Sequence, residues 1–216
     1  MENCKVYSVW KPCGITSYDV IRKIKRNFTL SKIGHCGTLD PFAEGVLLIC
    51  TGKKVKDASS YMKLPKTYIA DIIFGSETDT LDSTGLTIKK NNSEHIIKNT
   101  LLKKTINKFI GTYKQSPPFY SAKKINGIKM YELARKGIFV RPSGSNVTIH
   151  SIAINSFKKT KLSIKIECGA GMYVRSLARD IAYDLGTYAY VDNLSRIKVG
   201  NFDINNSISY NSIGSI

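Results

Sequence analysis

Apolar and polar residues alternate along Val6-Tyr7-Ser8-Val9-Trp10, the period of a half-buried strand. Past the turn-like Lys11-Pro12-Cys13-Gly14 the period lengthens. Val20, Ile21, Ile24 and Phe28 recur at helical spacing, with Ser17 as the expected N-cap and Arg22, Lys23, Lys25 and Arg26 on the remaining positions. Val46-Leu47-Leu48-Ile49-Cys50 is a continuous apolar run, expected as a buried strand, and Gly52 to Leu64 is expected to be a helix. Tyr68, Ala70, Ile72 and Phe74 fall on one face of a strand. Thr78 to Gly85 is a polar turn that either Asp79 or Asp82 can cap. Ser93 to Phe109 is expected as a helix, with Ser93 as N-cap and Ile97, Leu101 and Phe109 apolar. Val147 to Phe157 and Leu162 to Cys168 alternate as a hairpin pair. A loop from Gly169 then leads into a helix with the core stripe Leu177, Ile181 and Leu185.

The 216 residues suffice for one large domain or two small ones, and 42% hydrophobic content suffices for a core. Charge changes the picture more. Lys and Arg number 33 against 16 Asp and Glu, a net +17 that favours a polyanionic partner. A basic chain from a compositionally biased genome is the alternative. The five cysteines, Cys4, Cys13, Cys36, Cys50 and Cys168, are scattered and form no C-x-x-C pair, so neither a zinc site nor a disulfide framework is expected. Cys50 and Cys168 are expected to be buried. With no signal peptide and no apolar run near the ~20 residues that span a bilayer, a cytoplasmic protein without membrane contact is expected.

The stretch Gly34-His35-Cys36-Gly37-Thr38-Leu39-Asp40-Pro41-Phe42-Ala43-Glu44-Gly45 is glycine- and proline-rich and feeds directly into the apolar run. Asp before Pro is a good helix start, with Asp as N-cap. Gly45 follows so closely that only about one turn would fit. The residues alone leave two readings of Asp40, a cap or a carboxylate presented on a rigid loop.

That stretch, with Val46-Leu47, resembles the signature G-H-x-G-x-L-D-P-x-A-x-G-x-L of the bacterial tRNA pseudouridine-55 synthases of the TruB family. Lys11 to Ser17 matches the family's K-P-x-G-x-T-S. Thr78 to Gly85 matches T-D-T-x-D-x-x-G. Pro117 to Gly137 matches P-P-x-Y-S-A-x-K-x-x-G-x-x-x-Y-x-x-A-R-x-G. Tyr173-Val174-Arg175-Ser176-Leu177 matches the end of C-S-x-G-T-Y-[IV]-R-[ST]-L, with Ala170 and Met172 departing from it. Leu194-Ser195-Arg196 stands where the family commonly has L-R-R, and Val55 where it usually has Thr, a change expected to affect packing. The resemblance runs from about Val6 to Phe202.

It implies an α+β pseudouridine synthase fold, a mixed and largely antiparallel central sheet flanked by helices. It also implies a single catalytic domain over 1–216 with an RNA-clamping insertion at about 85–145, and leaves no room for the C-terminal PUA domain of many relatives. The implied activity is isomerisation of uridine 55 in the tRNA T-loop by base flipping, without cofactor or metal, in a monomer. Asp40 is the implied nucleophile, attacking at C1′ or C6 or acting through elimination. Arg175 holds it ionised, Asp82 fixes Arg175, and Tyr68 stacks on the base and takes part in proton transfer. His35, Tyr173, Leu194, Asp82, Lys11 and Lys123 are the implied substrate-binding residues. Without the resemblance, Tyr68 is an amphipathic core residue, His35 a loop histidine bonded to backbone, and Arg175 a surface ion pair. The aromatic and lysine residues of Gln115 to Gly137 suit single-stranded nucleic acid. Two further readings are a non-catalytic basic tRNA-binding or folding protein and a glycosidase with Glu44 as paired acid.

Overall fold

The computed structural model describes residues 4–91, 97–140 and 142–215. The chain forms two compact units, Met1–Ile69 with Leu194–Ile216, and Ala70–Asn193. The architecture is α+β, with mixed and mostly antiparallel strand pairing.

The first unit opens with strand β1 (Val6–Lys11) and helix α1 (Ser17–Asn27). Thr16, rather than Ser17, caps α1. Its Oγ1 accepts from Asp19 N at 3.1 Å, while Asp19 Oδ2 accepts from Thr16 N at 2.8 Å, closing a capping box. Ser17 is buried and bonded elsewhere. Strands β2 (Ile33–His35) and β3 (Glu44–Thr51) follow. The expected helix after β3 is in fact a 3-10 turn, Gly52–Asp57, and a short α2, Ala58–Lys63.

β3 pairs antiparallel with β1 and β2. Both its faces are covered, which is why its sequence is continuously apolar. Leu47 and Ile49 join Val9 and the α1 residues Val20, Ile21 and Ile24. Val46, Leu48 and Cys50 join Cys36 and Val199, with Val55, Ala58, Tyr61 and Leu64 packed against them. Val55 is thus a packing residue, as expected.

Strand β4 (Lys66–Phe74) carries the chain into the second unit, and Ala70, Ile72 and Phe74 are buried as the alternation requires. Next come β5 (Ser76–Thr78), β6 (Thr87–Lys90), α3 (Asn99–Lys108), β7 (Gly111–Gln115), β8 (Lys124–Ile125), β9 (Ile128–Lys129) and α4 (Met130–Arg135). The hairpin β10 (Ser145–Lys158) and β11 (Lys161–Cys168) precedes α5 (Val174–Asp184). β4, β11, β10 and β7 are neighbours in that order. α5 buries Leu177 and Ile181, and Leu185 beyond its end is buried too, as the stripe predicts.

α3 begins later than expected, and the expected cap Ser93 lies outside the described residues. Its buried side chains are Leu102, Thr105 and Ile106, whereas Leu101 faces solvent. Asp184 near the end of α5 accepts from Lys108 at 2.7 Å and Thr105 at 3.1 Å, which selects this face.

Strand β12 (Ala189–Val199) returns the chain to the first unit, followed by β13 (Phe202–Asp203) and β14 (Ile208–Ser209). β12 pairs parallel with β3 through Ser195–Glu44 and Arg196–Gly45. No helix among the described residues is long and apolar enough to cross a membrane.

Candidate active site

The residues expected at the site fall into two sets, one in each unit. In the first unit, Asp40 is half-buried in the loop between β2 and β3. No helix starts there, so the cap reading is set aside. The structure instead fixes the loop's backbone atom by atom. Every carbonyl from Gly37 to Ala43 is bonded. Arg196 Nη2 donates to Gly37 O at 3.3 Å and Nη1 to Thr38 O at 3.2 Å. Ser17 Oγ donates to Leu39 O at 3.0 Å and accepts from Leu39 N at 2.9 Å. Asp40 O accepts from Ala43 N at 3.1 Å, and Pro41 O from Gly14 N at 2.8 Å. Cys13 Sγ donates to Phe42 O at 3.0 Å, and Lys11 Nζ to Ala43 O at 2.6 Å. A backbone so completely paired presents its carboxylate from a fixed position.

Lys11, expected at the RNA backbone, is fully buried instead. Its other two protons go to Pro12 O and Ile15 O, at 2.8 Å each, which leaves none for a phosphate. Burial pulls its ammonium down to about 8, against the attraction of Cys13 and Asp40. Arg196 was not expected. It is 2% exposed, and its Nε also reaches Val46 O at 2.8 Å. Its one signal in the sequence was its place two residues after the apolar Leu194, and that signal is weak because Asp192 and Lys198 share the same phase.

His35 ends β2. Its Nδ1 is buried and meets no hydrogen-bond partner among the described residues. Burial and the Arg196 cation hold its pKa below the ordinary value, so the imidazole is neutral at pH 7. Tyr68, on the inward face of β4, and Leu194 are both buried.

In the second unit, Arg175 lies in the first turn of α5 and is 4% exposed, so the surface reading fails. Its Nη1 donates to Thr80 O at 2.7 Å and lies 3.4 Å from Asp82 Oδ2, and its Nη2 donates to Tyr120 O at 3.1 Å. The other oxygen of Asp82 accepts from Thr80 Oγ1 at 2.8 Å, Thr84 Oγ1 at 2.6 Å and Thr84 N at 3.1 Å. Asp82 is thereby aimed at Arg175 by its own turn. Gly85 closes that turn because a Cβ there would lie 2.3 Å from Thr80 Oγ1 and 2.4 Å from Asp79 Oδ1. Tyr173 immediately precedes α5 and is half-buried. Lys123 donates to Ser143 O at 3.2 Å. Among the described residues no group of three His, Cys, Asp or Glu side chains is placed to hold a metal.

The family model described as TruB family pseudouridylate synthase (N terminal domain) matches residues 25–174. A relative from Fusobacterium nucleatum, named tRNA pseudouridine synthase B, is 48% identical over 90% of this chain and 67% of its own length. One of the same name from Clostridium tetani is 42% identical over 96% of this chain and 72% of its own. A chain in the crystal structure of a Cbf5-Nop10-Gar1 complex superposes with a TM-score of 0.75 at 24% identity over 97% of this chain. The present chain spans about half of that one, 53%, and the likeness is one of fold.

Proposed function

Since the chain belongs to the TruB family of pseudouridylate synthases, we propose that it isomerises uridine 55 in the T-loop of tRNA to pseudouridine, with Asp40 as the nucleophile. The observation that supports this reading is the Asp40 loop, whose backbone carbonyls are all engaged around a half-buried carboxylate. The reaction breaks the N1–C1′ bond, turns the base and joins C5 to C1′, with no change of oxidation state. It therefore calls for a nucleophilic carboxylate, a cation and a surface that holds an unstacked base.

Asp40 attacks the flipped nucleotide at C1′ or C6, or acts through elimination at the sugar. Tyr68 stacks on the uracil and takes part in proton transfer. Arg175, always charged, supplies the cation, and Asp82 with its threonines keeps that cation oriented. His35, neutral at pH 7, fills the gap left by the flipped base, and Leu194 offers the base an apolar wall. Flipping costs a few kcal/mol, which phosphate and shape contacts along the basic surface offset. Tyr173, Lys123 and the clamping segment at about 85–145 contribute substrate contacts.

Pseudouridine mapping of an unmodified tRNA transcript tests the reading. The chain is expected to introduce one pseudouridine in the T-loop, and Asp40→Ala to introduce none. Salt-sensitive tRNA binding without any modification would instead identify a binding protein, and released uracil a glycosidase.

A further inference from the structure

Gln115 is the last residue of β7 and is 1% exposed. Its carboxamide meets the backbone of Tyr173 in both directions. Tyr173 N donates to Oε1 at 2.8 Å, and Nε2 donates to Tyr173 O at 3.2 Å. This is the exchange one strand residue makes with another, performed here by a side chain on the N-cap residue of α5. The side chain of Tyr173 itself makes no capping hydrogen bond to α5. The next residues continue the attachment. Ser116 O accepts from Ser176 Oγ at 2.8 Å and from Arg179 Nη2 at 3.0 Å, and Tyr120 O accepts from Arg175 Nη2 at 3.1 Å. Residues 115–120 are thus bonded to Tyr173, Arg175, Ser176 and Arg179 at the start of α5.

We propose that Gln115 is a positioning residue: its carboxamide sets the register of the α5 N-terminus, and through it the aim of Arg175. This rests on the catalytic reading for its kinetic consequence but not for its structural one. Gln115 also opens the segment that carries Lys123, Lys124 and Lys129. Asparagine is one methylene short of Tyr173. Glutamic acid is the informative substitute. Neutral, it keeps one O–H donor and one acceptor for Tyr173, while the amide's second N–H, which reaches Tyr113 Oη, is replaced by an oxygen to which that hydroxyl can donate; ionised, it has no donor and repels Tyr173 O. Burial raises a carboxyl pKa, so both forms are reached in a working pH range.

The experiment compares wild type, Gln115→Ala and Gln115→Glu by tRNA affinity, single-turnover pseudouridine formation from about pH 5.5 to 8.5, and hydrogen exchange of the 172–179 segment. Gln115→Glu is expected near the wild-type rate at the acid end and about tenfold or more below it at the alkaline end, with affinity nearly unchanged. Gln115→Ala is expected to be slow throughout and to exchange faster over 172–179. Wild-type rates and exchange in both variants would overturn the proposal, as would a Gln115→Glu deficit that is the same at every pH. Should Gln115→Ala fail to fold, the pH course of Gln115→Glu decides. A wild type that forms no pseudouridine overturns the catalytic reading alone, and the exchange of 172–179 in Gln115→Glu across the same pH range then decides on the proposal.

Discussion

Gly45 lies against the backbone of Arg196 so closely that a Cβ on Gly45 would sit 2.3 Å from Arg196 O and 2.7 Å from Arg196 N. This is where β3 pairs parallel with β12, and Gly45 adopts φ +123°. The same contact brings the Arg196 guanidinium to the loop before Asp40. Gly45→Ala combines a backbone clash with a conformation that disfavours side chains, and is expected to destabilise by at least ~2 kcal/mol. Urea unfolding measures it. An unchanged midpoint would mean that the two strands separate without cost.

Arg196→Lys keeps the charge but loses the fork that reaches Gly37 O, Thr38 O and Val46 O together. The bond to Val46 O is fully buried and those to Gly37 O and Thr38 O partly so, and a buried carbonyl left without its partner costs about 1–3 kcal/mol. The turnover rate is expected to fall by about tenfold or more with tRNA affinity little changed. A loss confined to affinity would place Arg196 in RNA binding instead.

His35 makes the fold acid-sensitive. Its folded pKa lies below the ordinary 6.5, so on acidification the unfolded chain takes up a proton before the folded one does. Stability from this group is complete above pH 6.5 and is lost as pH falls below it, until the folded form protonates too. His35→Gln should lose less stability than wild type between pH 7 and the acid side of 6.5, by thermal unfolding at matched ionic strength. Parallel curves would contradict the burial argument.

Thiol reactivity should divide the cysteines by environment. Cys13 is exposed, whereas Cys36 and Cys50 are buried with their sulfurs 3.1 Å apart, and burial pushes the Cys36 thiol up to about 12. At pH 8 such a thiol is thiolate to roughly one part in ten thousand. A short iodoacetamide pulse read by mass spectrometry should label Cys13 and leave Cys36, Cys50 and Cys168 for the unfolded chain. Early labelling of Cys36 would show that its loop opens.

The net charge of +17 predicts a salt-dependent complex. If about five phosphates are neutralised, the logarithm of affinity should fall with that of salt at a slope of roughly −3 to −5. A flat dependence would count against a surface that tracks the RNA backbone.

Much of the fold was legible because its cause is local. The β10–β11 hairpin and the stripe Leu177, Ile181 and Leu185 follow from periods of two and 3.6 residues. Burial of Cys50 and Cys168 follows from apolar neighbours. Where the local signal is degenerate, the expectation failed. Leu101 and Leu102 are adjacent and equally apolar, and which is buried depends on how α3 docks, on the side where Thr105 and Lys108 meet Asp184. Thr16 and Ser17 are both good caps, and Leu39, distant in sequence, claims Ser17.

The candidate chemical groups were readable from the motifs, since their spacing is a property of the chain. Asp40, Tyr68, Arg175 and Asp82 were all named that way, and the Arg175–Asp82 pairing was anticipated. The parts that hold them were not readable. Lys11 resembled a phosphate contact and Arg196 drew no attention, yet both are buried cations whose partners are backbone carbonyls, all three of Arg196's and one of Lys11's lying far away in sequence. Carbonyls carry no side-chain signature, so no residue pattern marks them as partners. The sequence by itself determined the periods, the charge and which side chains are candidates for the site. Only the tertiary structure decided which cations face water and which are spent on fixing the Asp40 loop, because a buried charge persists only where the fold brings enough acceptors to it.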